Sequence, residues 1–203
     1  MLWGRGVARI AGIDEAGRGA WAGPVVAAAV ILPRNPELPR QLGLGPVVRD
    51  SKQLSPAQRS QADEVVRSFA VAVGIGVVPP SIVDEVGLSA AGQLAFWRAV
   101  SSLPVEPDYL LVDGFPLWSP RHPQLAIIDG DATCASIASA SIVAKVARDR
   151  LMDALDEAAP GYGFGHHRGY GTAAHAQALG RLGPSIYHRR SYEPVARVGS
   201  WDE

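Results

Sequence analysis

Residues 9–32 read RIAGIDEAGRGAWAGPVVAAAVIL, and the fold is decided in them. Two short apolar segments, Val7–Asp14 and Val25–Leu32, are bounded by Gly and Pro and rich in β-branched residues, the pattern of strands. The first ends on Asp14-Glu15. Adjacent residues on a strand point to opposite faces, so at least one carboxylate must stand over the sheet edge, available to a metal ion. Gly17-Arg18-Gly19 follows at once, placing an arginine on backbone able to approach a ligand closely. Carboxylates for a divalent metal beside an anion-reading loop point to phosphate chemistry.

Outward from this stretch the chain alternates strands and helices. Residues 35–48, rich in Pro and Gly, are expected to form a loop. Ser55-Pro56-Ala57-Gln58 opens a helix: Ser caps, Pro takes the first helical position and Gln completes a capping box. That helix should run to about Ser68 and lead into a third strand, Phe69–Val78, whose Gly74 and Gly76 mark close packing. One or two helices occupy Ser81 to Leu103, with a break near Gly87–Ser89. Asp108–Asp113 and Gln124–Ile128 are short apolar segments, each delivering an acidic residue at or just past its end.

Ile137 to Ala158 is a helix, with Val143, Ala147, Leu151, Ala154 and Ala158 as its apolar stripe. A last helix, Thr172–Leu182, is capped by Thr172 and stopped by Gly183-Pro184. Strands that come first and are then separated by helices predict a mixed α/β sheet.

The composition permits one sizeable core: 203 residues, 47% of them hydrophobic. A formal net charge of −1 does not advertise a nucleic-acid binder. The distribution says more, because residues 161–203 hold Arg168, Arg181, Arg189, Arg190 and Arg197 and four of the five histidines, while the chain before them is mildly acidic. A basic end opposite a carboxylate cluster suits a polyanion held across a metal site; ordinary surface arginine is the plainer alternative. Cys134 is the only cysteine, which excludes an intrachain disulfide and does not suggest a cysteine–zinc site. The apolar run from Val25 is too short to span a bilayer, and no leader pattern opens the chain. A soluble cytoplasmic protein with no membrane association is expected.

The 9–32 stretch, with Asp50-Ser51-Lys52-Gln53-Leu54, Leu111-Val112-Asp113-Gly114, Gly130-Asp131 followed by SIASASIVAKVARDR, HHRGYGT around Tyr170, and HRRSYEPV from His188, resembles the type 2 ribonucleases H. Six blocks in the same order cover nearly the whole chain. The resemblance implies a ribonuclease H-like mixed β-sheet flanked by helices over residues 1–160. A C-terminal helical extension, residues 161–203, packs on it within a single structural domain. It also implies an endoribonuclease that hydrolyses the RNA strand of RNA–DNA hybrids. The cut falls 5′ of single ribonucleotides embedded in duplex DNA and leaves 3′-hydroxyl and 5′-phosphate ends, as ribonucleotide removal and primer clearance require. The partners expected are RNA–DNA hybrid and ribonucleotide-containing duplex DNA, with the chain a monomer and no obligate protein partner.

Asp14, Glu15, Asp113 and Asp131 each sit at a predicted strand end or just before a helix. In an open α/β sheet those ends share one rim, so the four can converge as catalytic and metal-binding residues. Oxygen-only ligands favour Mg²⁺ or Mn²⁺, and two such ions activate a water on one side of a phosphodiester while stabilising the leaving oxygen on the other. By resemblance, Gly17, Arg18 and Gly19 sense the ribose 2′-hydroxyl, which separates RNA from DNA. Tyr170 packs on the sugar beyond the junction, and Ser51 and Lys52 contact phosphate. Residue types alone leave alternatives open: a helix cap for Asp131, a core position for Tyr170, a polar turn for Asp50-Ser51-Lys52.

Lys145 and Arg148 reach phosphate or pair with Asp149. His188-Arg189-Arg190 grips the strand or is simply a solvated basic segment. Cys134 is read as a small buried residue. Asp129 departs from the family pattern, which commonly has a lysine there, and adds negative charge near the proposed metal site. Another two-metal nuclease or phosphotransferase would fit the carboxylates but leave the glycine loop and Tyr170 unexplained. A binding module that had lost catalysis would have no reason to keep four mutually repelling acids.

Overall fold

The computed structural model describes residues 4, 6–34, 54–118 and 121–199. Ser51 and Lys52 lie outside the described residues. Five strands form one mixed sheet: β1 (Ile10–Ala16), β2 (Val25–Ile31), β3 (Ala72–Val78), β4 (Tyr109–Asp113) and β5 (Gln124–Ile127), in the order β3-β2-β1-β4-β5. The first three pair antiparallel and β4 and β5 add in parallel. The helices are α1 (Pro56–Phe69), α2 (Pro80–Ser101), α3 (Gly130–Thr133), α4 (Ala135–Ala158), α5 (Phe164–His167), α6 (Ala173–Leu182) and α7 (Glu193–Gly199).

β2 is apolar on both faces because both are covered, and all seven of its residues are buried. Val25, Ala27, Ala29 and Ile31 pack with α2 through Val83, Ala95, Phe96 and Ala99. Ala28 and Val30 pack with α4 through Ala138, Ile142 and Val143 and with Val66 of α1. β3 stands against α2 so closely that a Cβ at Gly74 or Gly76 would collide with the carbonyl of Ala99 or Ala95. The close packing read at these two glycines is what they provide.

Local expectations hold where local chemistry sets them. Ser55 accepts from the Gln58 N–H and Gln58 returns the bond to the Ser55 N–H, which completes the capping box of α1. The helical run from Pro80 is interrupted at Gly87 (φ 79°, ψ 158°), inside the expected break. Thr172 caps α6 by accepting from the His175 N–H, and Gly183 ends it.

The stripe expected along α4 is only partly right. Val143 is buried, but Leu151, Ala154 and Ala158 are exposed; the inward line near the end of the helix runs through Ala144, Arg148 and Met152. A buried arginine interrupts the apolar pattern, so hydrophobicity alone picked the wrong side. Met152 joins Ala22 and Phe164 in a small cluster bordered by Tyr162 and Tyr187, which seats residues 161–199 against α4.

Candidate active site

β1 and β4 run in parallel with Ile13 opposite Val112, so Asp14 and Asp113 stand at the next level, side by side on the same rim. Asp14 faces α4. It is 6% exposed, accepts from the Glu15 N–H at 2.7 Å and is also hydrogen-bonded by Ser141. Burial, with the neighbouring charges of Glu15 and Asp113, pushes its carboxyl up to about 8 despite those bonds. Glu15 points the other way and is raised as well, first by burial and further by Asp113, with Arg18 opposing. The Arg18 guanidinium lies 3.6 Å from the Glu15 carboxylate.

Asp113 accepts from the Gly130 N–H at 2.7 Å, which fixes the first turn of α3 and puts Asp131 one residue from that bond. Asp14, Glu15 and Asp113 thus feel each other's charge, with Asp131 on the adjoining turn. Among the described residues, however, no three His, Cys, Asp or Glu side chains stand close enough to hold a metal ion by themselves. Hard divalent ions such as Mg²⁺ complete their shell with water and substrate phosphate, needing only one or two carboxylates. A buried, mutually repelling, oxygen-only set fits such an ion, which would offset the burial and the neighbouring charges that raise Asp14.

Past β1 the chain turns sharply at Gly17 (φ +92°), where a Cβ would overlap the Arg148 side chain. Only glycine serves there. Arg148 is fully buried and donates to the carbonyls of Pro24 (3.0 Å) and Ala22 (3.2 Å). Its guanidinium carbon lies 5.3 Å from the centre of the Tyr170 ring, and its Nη1 atom is buried without a hydrogen-bond partner among the described residues. Burial draws the guanidinium down to about 10, which leaves it a cation at neutral pH. The expectation that Arg148 reaches phosphate or pairs with Asp149 is therefore overturned.

Lys145, one turn earlier, does pair with Asp149 at 2.6 Å. It also lines, with Glu15, Gly17, Arg18, Gly19, Ser141 and Tyr170, a cavity of about 280 Å³. Tyr170 is 38% exposed, so it does not close the core. A larger cleft of about 460 Å³ lies elsewhere, around Trp97, Pro107, Arg121 and His122. It touches none of the four carboxylates, and size does not make it the site.

Sequence reading missed what braces the loop. Arg189 is fully buried and donates to the Gly23 carbonyl through Nε and Nη2 (3.1 and 2.9 Å) and to the Arg18 carbonyl through Nη1 (2.8 Å). The Tyr192 hydroxyl donates to the same Arg18 carbonyl at 2.6 Å. Trp21 and Ala22 donate to the Gly169 carbonyl, Gly23 donates to Tyr187 and Arg189 donates to Trp21. Of the basic segment from His188, only Arg190 is exposed. Clustered arginine was the one available signal, and it reads as surface until the glycine carbonyls are seen beneath it. Asp129, in the left-handed region (φ 52°), is exposed ahead of α3. Cys134 is half-buried rather than buried.

The family model described as "Ribonuclease HII" matches residues 11–195. Ribonuclease HII of Chloroflexus aurantiacus is 49% identical over 191 residues, covering 94% of this chain and 89% of that protein. The crystal structure of ribonuclease H2 from Pyrococcus horikoshii superposes with a TM-score of 0.78 at 26% identity, over 94% of this chain and 97% of the other. Bst-RNase HIII in complex with Mn²⁺ shares the fold alone, with a TM-score of 0.72 at 19% identity over 95% and 69% of the two chains. No helix among the described residues is long and apolar enough to cross a membrane.

Proposed function

We propose, from the premise that this chain belongs to the ribonuclease HII family and so hydrolyses RNA in RNA–DNA hybrids, that it also cuts 5′ of a single ribonucleotide in duplex DNA. The cut leaves a 3′-hydroxyl and a 5′-phosphate, and the setting is cytoplasmic ribonucleotide removal. The observation that carries this reading is one cavity shared by Glu15, Gly17, Arg18, Gly19 and Tyr170, at the rim where Asp14 and Asp113 meet. A phosphate placed beside the carboxylates then has its sugar against the glycine loop and its neighbour against Tyr170.

Asp14, Glu15, Asp113 and Asp131 would hold Mg²⁺ or Mn²⁺, two ions with substrate present, which supply charge neutralisation and water activation. The chain's own part is orientation. The Glu15 N–H and Ser141 fix Asp14, and the Gly130 N–H fixes Asp113. Gly17, Arg18 and Gly19 offer backbone close enough to test for a 2′-hydroxyl, the group DNA lacks. Arg18, 38% exposed at its side chain, and Lys145 add positive charge for the backbone.

The test is cleavage of a labelled DNA duplex containing one ribonucleotide, with Mg²⁺ or Mn²⁺. A single cut 5′ of the ribonucleotide is expected, with Asp113→Asn slowing it by roughly a thousandfold or more. Hybrid cleavage without any cut at the single ribonucleotide would overturn the finer reading.

A further inference from the structure

Behind the loop that carries Tyr170, two imidazoles meet out of reach of solvent. His175 is fully buried and His188 is 2% exposed, and their Nε2 atoms are 3.1 Å apart. Two ring nitrogens form a hydrogen bond only when one carries a proton and the other a lone pair. Their outer nitrogens decide which. His188 Nδ1 receives the Ser185 N–H at 3.0 Å and lies 2.9 Å from the Ser185 hydroxyl, so it is an acceptor and the His188 proton sits on Nε2. His175 Nδ1 lies 3.0 Å from the Tyr170 carbonyl, which only accepts, so His175 Nδ1 is protonated and its Nε2 is the lone pair. The bonds point one way, from Ser185 through His188 and His175 to Tyr170.

We infer that His175 and His188 are positioning residues for Tyr170, a neutral one-directional relay that fixes the main chain from which that ring projects over the cavity. The inference rests on the reading in which Tyr170 meets the substrate. Neither ring can exchange tautomers without setting N–H against N–H or a lone pair against a carbonyl. The titratable groups facing the pair are His167, stacked 4.3 Å from His175, and the Tyr162 ring, 4.9 Å from His188. His167 is fixed in the same manner: Nε2 donates to the Tyr162 carbonyl at 2.8 Å and Nδ1 accepts from the Gly169 N–H at 3.2 Å. The Tyr170 carbonyl receives a second donor, the Thr172 N–H. Burial, and then each ring's neighbours, hold both imidazoles below their usual range, His188 down to about 4. The relay therefore stays neutral at neutral pH.

Two substitutions separate positioning from bulk stability. In His188→Gln the amide nitrogen can take the place of Nε2–H and keep the bond to His175; in His188→Asn only the link to Ser185 is kept. On a duplex with one ribonucleotide, we expect His188→Asn to raise KM about tenfold with kcat little changed, and His188→Gln to stay within about twofold of wild type. In a Tyr170→Ala background, His188→Asn should cost nothing further. An equal cost with and without Tyr170, or equal damage from Gln and Asn, would overturn the inference.

A second arm needs no catalysis. In protein labelled with 3-fluorotyrosine, the Tyr170 resonance, identified by its loss in Tyr170→Phe, should move in His188→Asn and not in His188→Gln. An unmoved resonance in His188→Asn sinks the relay. If wild type fails to cut, the substrate reading falls while this arm still decides the relay. Should His188→Asn not fold, wild type is titrated from about pH 7 to pH 4, where the Tyr170 resonance must move as the pair protonates, and a flat trace counts against the inference.

Discussion

At the rim, burial and then the charges of Glu15 and Asp113 drive the Asp14 carboxyl up to about 8; behind the glycine loop, two arginines are buried more deeply still, yet their heads are met by carbonyls. Arg148 answers Ala22 and Pro24, and Arg189 answers Arg18 and Gly23. Both regions remove charge from water. They differ in what replaces the water. The carboxylates face one another and have only a few N–H and O–H donors, so ionising them without a cation is costly. The guanidiniums face the negative ends of peptide dipoles, which hold them in place without any ligand. Repulsion is kept where a cation would relieve it, and rigidity is placed beside it, around the glycine loop.

Removing an arginine from the clamp should have the largest effect on this contrast. Arg148→Ala strands two carbonyls and opens a cavity under Gly17 and Tyr170, which outweighs the relief of no longer burying a cation. We expect a loss of about 3–5 kcal/mol, read as a lower urea midpoint with unchanged slope. Asp14→Asn in metal-free protein should go the other way and raise the midpoint, because the native state no longer has to hold a carboxyl protonated far above its ordinary range. If both variants destabilise alike, the two regions do not differ in the way described.

Gly17→Ala probes the seam between them. The residue needs a left-handed φ and its new methyl would meet Arg148. A stability loss of about 1–3 kcal/mol is expected. Cleavage at a single ribonucleotide should fall more than the loss of folded protein explains. Equal falls on the two measures would mean that the loop's shape matters only to folding.

How much of this was legible beforehand follows from the range of the forces involved. The capping box at Ser55, the break at Gly87 and the close approach at Gly74 and Gly76 are local steric and hydrogen-bond matters, and they were read correctly. Asp14, Glu15 and Asp113 could be brought to one rim because strand ends in such sheets share it. Residues 161–199, with the end of α4 that they pack on, were another case. Arg148, Arg189, His175 and His188 look polar and exposed on any hydropathy scale, and their burial depends on carbonyls and imidazoles that are distant in sequence. Arg189 reaches Arg18 across 171 positions. A pattern of apolar periodicity has no place for buried polar groups held by carbonyls, which is why the stripe chosen on α4 missed Arg148.

The most gradual effect, and the one that sets the two regions most directly against each other, is the dependence of stability on pH. Asp14 has a folded value of about 8 against an ordinary 3.8, so between those limits the native state holds a proton that the unfolded chain releases. Its contribution is complete below pH 3.8 and is lost as pH rises through 8. His188 has a folded value of about 4 against 6.5, so there the unfolded chain binds the extra proton; its contribution is complete above pH 6.5 and is lost as pH falls through 4. Each group tilts stability by up to about 1.4 kcal/mol per pH unit within its window, in opposite senses. Between about pH 4 and 6.5 the two tilts oppose each other, so urea unfolding with a chelator present should be nearly flat there and decline from about pH 6.5 to 8; Asp14→Asn should remove that decline and uncover an acid loss, which His188→Gln in turn flattens. Saturating Mg²⁺ should act as Asp14→Asn does, abolishing the alkaline decline and uncovering the acid loss, because an ion at the rim relieves the carboxylates and does nothing for imidazoles that are already hydrogen-bonded. If the difference between wild type and His188→Gln itself changed with Mg²⁺, the relay and the carboxylate rim would be one electrostatic unit rather than two.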